Sequence, residues 1–574
     1  MSGRHRPFGG EGGGRASRAP IAFAAVAALV ALTVVAVRAV AADANGCSKG
    51  ITLSVAAAPD IAPVVRDAAT RWTAGNPKVN GDCVKVQVSA TEPADVANML
   101  AVRAGTRINV AASPVPTPSD ADIPSVWIPD SVSWLVRVQS VNKDAFDNDA
   151  PSLAVSPVVL AMPEQLARAL QGDNPHRLTT ADLGALLQKA FKGDKTIQVG
   201  VSEPRRNAVG LAGASLMYDT VVTAPAQLPI LVGTYRAVTL SSDAPGELKA
   251  FGQGQTVAPL SEQAVLAYDA TNPAVPLAAA PLATPAALDY PYALVAGKPR
   301  AITRAAEQFR QVLLDPRQDD LFAKAGFRLA DGSVPQGFPA GHGVTTEPVQ
   351  ATPLADAAKI ADVLSIWTAS KTPSRVLALA DVTSSMAQPM PGSTTVNRMQ
   401  VMQGAAVGGL QLFTDDSEVG LWGFAAGIGD GGVDYRQLVP LGRLGADQRK
   451  KLATTVNAAA PAPTNVCGLY DTVLAAYKVM KDGYQEDHSN TIVVFTDSAN
   501  SKPGSMPVDQ LQLELEKLTD TTKPIRVVLL GIGPDVNIDE LTAIAKTTGG
   551  KAFKVDNPAE IGTIFLQALL RTST

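Results

Sequence analysis

The stretch Arg375-Val-Leu-Ala-Leu-Ala-Asp381-Val-Thr383-Ser-Ser385-Met386 decides how the chain is read. Its first half is a short apolar run that follows Lys-Thr-Pro-Ser and closes on a carboxylate and three hydroxyls. Such a run reads as a strand buried on both faces of a parallel sheet. Its carboxyl end carries the polar groups, and open α/β sheets bind ligands at that end. Asp381, Thr383 and Ser385 stand two apart just beyond the strand, so their oxygens can converge on one small hard cation. Ions such as Mg²⁺ prefer oxygen ligands and keep several waters. Taken alone, the five residues read equally well as a turn and a helix cap.

Working outward, 397–413 reads as a helix, Val419-Gly-Leu-Trp-Gly-Phe424 as a strand, 437–441 as an edge region, and 447–459 and 469–480 as helices. Asn490-Thr-Ile-Val-Val-Phe-Thr-Asp497 is a second buried strand ending in a carboxylate, and Ile525-Arg-Val-Val-Leu-Leu-Gly-Ile-Gly533 is a third. Helices over 540–547 and 558–570 flank a short strand over 551–555. This alternation predicts a doubly wound parallel sheet with helices on both faces, a domain over 374–574.

Asp-x-Thr-x-Ser at 381–385, with a strand before it, a helix after it and Asp497 ending a later strand, resembles the Asp-x-Ser-x-Ser motif of von Willebrand factor A domains. In that family the motif is the metal-ion-dependent adhesion site. The resemblance implies that Asp381, Thr383, Ser385 and Asp497 hold Mg²⁺, or Mn²⁺ or Ca²⁺, and leave a coordination position for an acidic side chain of a protein partner. Thr496-Asp497-Ser498 stands where the family usually has Thr-Asp-Gly. The family's third loop supplies a threonine two residues before Leu-Tyr-Asp, and counting back from Leu469-Tyr470-Asp471 lands on Cys467. A thiol serves Mg²⁺ badly; Thr464 lies three residues upstream and substitutes only if the loop is re-routed.

Toward the amino terminus, Ile51-Thr-Leu-Ser-Val-Ala-Ala57, a helix to Trp72 and Val84-Lys-Val-Gln-Val88 form a β-α-β opening. There follow Ser125-Val-Trp-Ile-Pro-Asp-Ser131-Val-Ser-Trp134, a crossing at Ala154-Val-Ser156-Pro157, a capped helix from Leu178, and Gln198-Val-Gly-Val-Ser-Glu203-Pro204. A return leg over 286–294, a helix over 301–314 and Ala325-Gly-Phe-Arg328 complete the series. The order resembles bacterial extracellular solute-binding proteins of the two-lobed type II periplasmic-binding architecture, here over 47–335. That resemblance implies a cleft for a small solute, lined by Asp60, Ser131, Ser156, Arg205 or Arg206 with Asn207, and Tyr290. The same residues also suit ordinary turns and caps in a lobe that serves as a spacer. Residues 336–373 read as a linker carrying a short helix.

The first 18 residues form a basic tail with Arg4, Arg6, Arg15 and Arg18, and 19–42 are apolar enough to cross a bilayer as a helix. The positive-inside tendency then puts the tail in the cytoplasm and both domains outside, as a single-pass membrane protein. A signal peptide cleaved after Ala39-Val-Ala41 is the alternative. Cys47 and Cys83 precede neighbouring parallel strands of a right-handed β-α-β unit, which places them to form a disulfide in an oxidising space. At 574 residues the chain is too long for one core. A net charge of −4 gives no reason to expect nucleic acid. The four histidines are scattered, and neither half pairs a nucleophile with a base, so the reading is a binding protein and not an enzyme. A hydrolase built on the paired Asp residues would be the enzymatic rival.

Overall fold

The structure, a computed structural model, describes residues 50–557 apart from 112–114, 148, 172–176, 192–196, 224–226, 242–250 and 252–255. Its described strands form three sheets. In the first, β1 (Gly50–Ala57) lies parallel to β3 (Asp82–Ala90) and β4 (Val126–Ile128). Short antiparallel partners close both sides, β2 (Lys78–Val79) beside β3 and β11 (Ala293–Leu294) beside β4. The helix Ala62–Ala74 crosses from β1 toward β3 and buries Val64, Val65, Ala68 and Ala69 in a core shared with Leu53, Val55 and Phe309.

The second sheet is built around β5 (Ala154–Pro163), an all-apolar stretch but for Ser156, buried at every position. It pairs antiparallel with β8 (Thr256–Ser261), β9 (Leu277–Ala280), β10 (Ala286–Leu288) and β12 (Arg328–Leu329). β8 continues to β6 (Gln198–Ser202) and β7 (Thr239–Ser241). Since β10 belongs to this sheet and β11 to the first, the chain recrosses within 289–292, giving two lobes joined by two passes. Tyr290, at that return, adopts φ +42°, a left-handed conformation that a side chain rarely takes.

Beyond β12 the chain stays on the second lobe. Arg328 has no exposed surface, forms a bidentate pair with Glu262 at 2.6 and 2.9 Å, and donates to the carbonyls of Gly332, Thr345 and Glu347. β13 (Thr352–Pro353) adds to β10, and the helix Ala357–Lys371 buries Ile360, Val363, Leu364 and Trp367 among Leu231, Val232 and Tyr235. The Trp367 and Tyr235 rings meet edge to face at 5.0 Å. Within the stretch 336–373 read as a linker, the short helix is thus packed on the second lobe.

The third sheet has the order β16-β15-β14-β17-β18-β19. β14 (Ser374–Asp381), β15 (Glu418–Phe424), β17 (Ser489–Thr496), β18 (Ile525–Ile532) and β19 (Ala552–Val555) run parallel, and β16 (Tyr435–Arg443) is an antiparallel edge. One face is covered by the helices Arg398–Leu410 and Ala446–Asn457, the other by Leu469–Asp482, Val508–Leu518 and Ile538–Thr547. The sheet is doubly wound, and its order reverses between β14 and β17. The expected helix over 558–570 lies outside the described residues.

The single-pass membrane placement read from the sequence does not stand. Among the described residues no helix is long and apolar enough to cross a membrane. The basic tail over 1–18 and the apolar segment over 19–42 lie outside the described residues, so nothing in the structure supports an anchor.

The Arg328–Glu262 pair generates a test. Arg328→Ala leaves Glu262 buried without its counter-charge and should cost about 3–5 kcal/mol in urea unfolding, whereas Arg328→Met with Glu262→Leu should cost less, since it removes both charges and leaves only the carbonyls of Gly332, Thr345 and Glu347 without their donor.

Candidate functional site

Two places bring chemistry-bearing residues together. The first is the reversal point of the third sheet, where β14 ends on Asp381 and β17 on Thr496, one residue before Asp497. Asp381 Oδ1 accepts from the Thr383 amide at 2.9 Å and its hydroxyl at 2.6 Å, and Oδ2 accepts from Thr496 Oγ1 at 2.7 Å. Thr383 Oγ1 lies 2.8 Å from Ser385 Oγ, which donates to Asp497 Oδ1 at 2.8 Å. Asp381, Thr383 and Asp497 have no exposed surface. Burial pushes the Asp381 carboxyl up to about 6; hydrogen bonding from Thr383 opposes this and the charge of Asp497 adds to it.

The third loop places Cys467, not Thr464, at the carboxylate. Cys467 Sγ is 3.8 Å from Asp381 Oδ2 and wholly buried, and burial holds the thiol well above its ordinary value. Thr464 serves through its backbone, its carbonyl accepting from the Ser384 amide at 2.8 Å while its hydroxyl accepts from the Val466 amide at 3.2 Å.

Arg398 escaped the sequence reading. It is the first residue of its helix, fixed there by a capping box between Asn397 and Gln400. Its buried guanidinium donates to Asp497 Oδ2 at 2.9 Å and to Asp535 Oδ2 at 2.6 Å. Among the described residues no group of three or more His, Cys, Asp or Glu side chains is placed to hold a metal ion. The oxygen set at this point is therefore two carboxylates and hydroxyls, with an arginine already on one carboxylate.

The second place lies between the lobes. The turns after β1 and β4 carry Asp60 and Asp130, and Tyr290 joins them: its hydroxyl donates to Asp60 Oδ2 and its amide to the Asp130 carbonyl. Burial raises Asp60, and it pushes Asp130 up to about 8, with the charge of Asp60 adding. Trp134 Nε1 donates to Asp130 Oδ1 at 2.7 Å. From the second lobe, the turn after β6 supplies Arg205, paired with Glu203 at 2.8 Å, and Arg206. Contacts bridge the lobes here: Arg206 Nη1 to Asp95 Oδ1 at 3.2 Å, and Arg137 Nη2 to the Arg205 carbonyl at 3.0 Å.

The other expected cleft residues hold contacts within the fold. Ser131 Oγ accepts from the Ser133 amide at 3.1 Å, and Asn207 Oδ1 from Val209 and Gly210 at 2.9 and 3.2 Å, both as helix caps. Ser156 Oγ is buried and accepts from the Gln263 amide at 3.0 Å. Cys83 is disulfide-bonded, its expected partner Cys47 lies outside the described residues, and Cys467 is free.

With this geometry in place, comparisons bear on the first half. Residues 53–328 match the family model of bacterial extracellular solute-binding proteins, and this part of the chain is similar to that family. The family is one of binding proteins. An uncharacterised protein of Mycobacterium tuberculosis is 24% identical over 551 residues, covering 88% of this chain and 75% of that protein. Among solved structures, the sulfate-binding protein SubI from Mycobacterium tuberculosis H37Rv is 19% identical, covering 54% of this chain and 96% of its own, at TM-score 0.34. A von Willebrand factor type A protein from Catenulispora acidiphila is 17% identical, covering 35% of this chain and 43% of its own, at TM-score 0.29.

Two outcomes follow from the site. Cys467 should fail to react with a thiol reagent in the folded chain and react once on unfolding in urea. Asp130 holds a proton in the folded chain between its ordinary value of 3.8 and about 8 that the unfolded chain has lost. Its contribution to stability is thus fully present below pH 4 and lost progressively up to pH 8. Urea midpoints of the wild-type chain should fall over that range relative to those of Asp130→Asn.

Proposed function

We propose that the chain is a two-part binding protein: the two-lobed half captures a small solute between its lobes, and the doubly wound half docks a protein partner that offers an acidic side chain. The observation that carries the first part is the match over 53–328 to a solute-binding family. The meeting of Asp60, Asp130 and Tyr290 from one side with the Glu203–Asn207 turn from the other agrees with it. Two carboxylates on the first-lobe wall favour a solute with a positively charged group, since ionising them beside a cation offsets the penalty of burial. Affinity for such a solute should rise with pH through about 8 as Asp130 gives up its proton.

The second part rests on the chain of contacts from Asp381 through Thr383 and Ser385 to Asp497. These four residues would hold Mg²⁺, Mn²⁺ or Ca²⁺; the buried thiol of Cys467 does not suit such an ion. When bound, the ion would supply an open position to a partner's carboxylate. A disulfide between Cys47 and Cys83 belongs to the same proposal, as a staple at the start of the first lobe worth about 3–4 kcal/mol.

Calorimetry of the full chain against organic cations, sugars, peptides and oxyanions tests the solute reading. An organic cation should bind, and Asp60→Asn should weaken it by roughly tenfold, the worth of one hydrogen bond to a charged group. No class binding tighter than about 1 mM would contradict solute capture.

A further inference from the structure

We propose that Arg398 is a resident counter-cation that competes with a divalent ion for Asp497, so that the ion enters only as the guanidinium lets go of that carboxylate. The inference rests on the metal reading of the reversal point and concerns what this chain has built beside it. Asp381 and Asp497 approach one another at the tips of neighbouring strands, out of reach of water. Two carboxylates so placed repel unless a cation or a proton intervenes. In this fold the cation at hand is Arg398, whose Nη1 sits 2.9 Å from Asp497 Oδ2 while Ser385 occupies Oδ1.

The geometry gives the arginine a second home. Nη2 donates at 2.6 Å to Asp535, whose side chain is 64% exposed. That carboxylate lies on the loop after Gly533, where φ is +93° and a Cβ would stand 3.1 Å from Arg398 Nε. The close approach of that loop keeps Asp535 within reach of the guanidinium. A divalent ion on Asp497 repels the guanidinium over a short, poorly screened distance. Arg398 can then shift its charge toward Asp535 without losing every partner. Buried Nε has no hydrogen-bond acceptor, so the present position is not one in which every donor is satisfied. Asp535 therefore sets how readily Arg398 yields, and Arg398 sets the ion affinity of the site.

Titration calorimetry of the full chain with Mn²⁺ and with Mg²⁺, repeated on Arg398→Gln and Asp535→Asn, tests this. Arg398→Gln should bind roughly tenfold or more tightly than the wild type, because a charge competing at contact distance is gone. Asp535→Asn, a change at an exposed side chain that leaves the core intact, should bind several-fold more weakly, because the arginine then has Asp497 alone. Wild-type binding with no gain in Arg398→Gln overturns the competition and leaves the metal reading standing. Should Arg398→Gln fail to fold, an unchanged affinity in Asp535→Asn overturns it instead. No binding in any of the three, with Asp381→Ala as the blank, removes the metal reading and the competition with it.

Discussion

Two carboxylates at the carboxyl tips of adjacent parallel strands are the constraint on which the second half of the molecule turns. β14 and β17 are apolar over 376–380 and 492–495, where they lie between two layers of helices, yet each leads to an Asp at the point where the sheet order reverses. The surrounding residues answer the resulting charge. Thr383, Ser385 and Thr496 donate hydrogen bonds, burial raises Asp381, and Arg398 brings a positive charge to Asp497. Balance by an arginine differs from balance by an ion in one consequential way: it is covalently part of a helix. The contact ties Asp497 directly to the first turn of Arg398–Leu410.

That helix leads toward the other half. Just past its end, the carbonyls of Gln411 and Leu412 accept from Arg236, which also donates to the Ser370 carbonyl at the end of the helix packed on the second lobe. Burial lowers Arg236, in keeping with a cation taken partly out of water at this junction. The helix Ala357–Lys371 thus fills the second lobe's core with Trp367 and supplies a carbonyl to the contact with the neighbouring domain. The halves are joined by packed structure as well as by chain.

Much of this was legible in the sequence, and the rest was hidden for definable reasons. The runs at 375–381, 490–496 and 525–532 announce themselves because strands buried on both faces carry no alternation to confuse with a helix. The helix Val508–Leu518 escaped notice: only Leu511 and Leu515 are buried, too sparse a stripe among charged residues. Spacing with the flanking strand and helix picked out Asp381, Thr383 and Ser385, whose contacts with one another are local in the chain. Arg398 and Asp497 are 99 residues apart, and their contact depends on how a helix start docks on a strand end, which no short motif encodes. In the cleft, Ser131 and Asn207 suit both a ligand group and a helix cap in the sequence, and the structure shows the caps; a hydroxyl or amide that can grip a solute grips a backbone amide equally well.

The central claim is that the charge at the reversal point is shared between an internal guanidinium and an exchangeable ion. Anomalous diffraction from crystals of the full chain soaked in Mn²⁺ addresses it most directly. The account predicts a manganese peak among the oxygens of Asp381, Thr383, Ser385 and Asp497, with the Arg398 guanidinium drawn off Asp497 toward Asp535. A soaked crystal without that peak, or with the peak present and Arg398 still on Asp497, would contradict it.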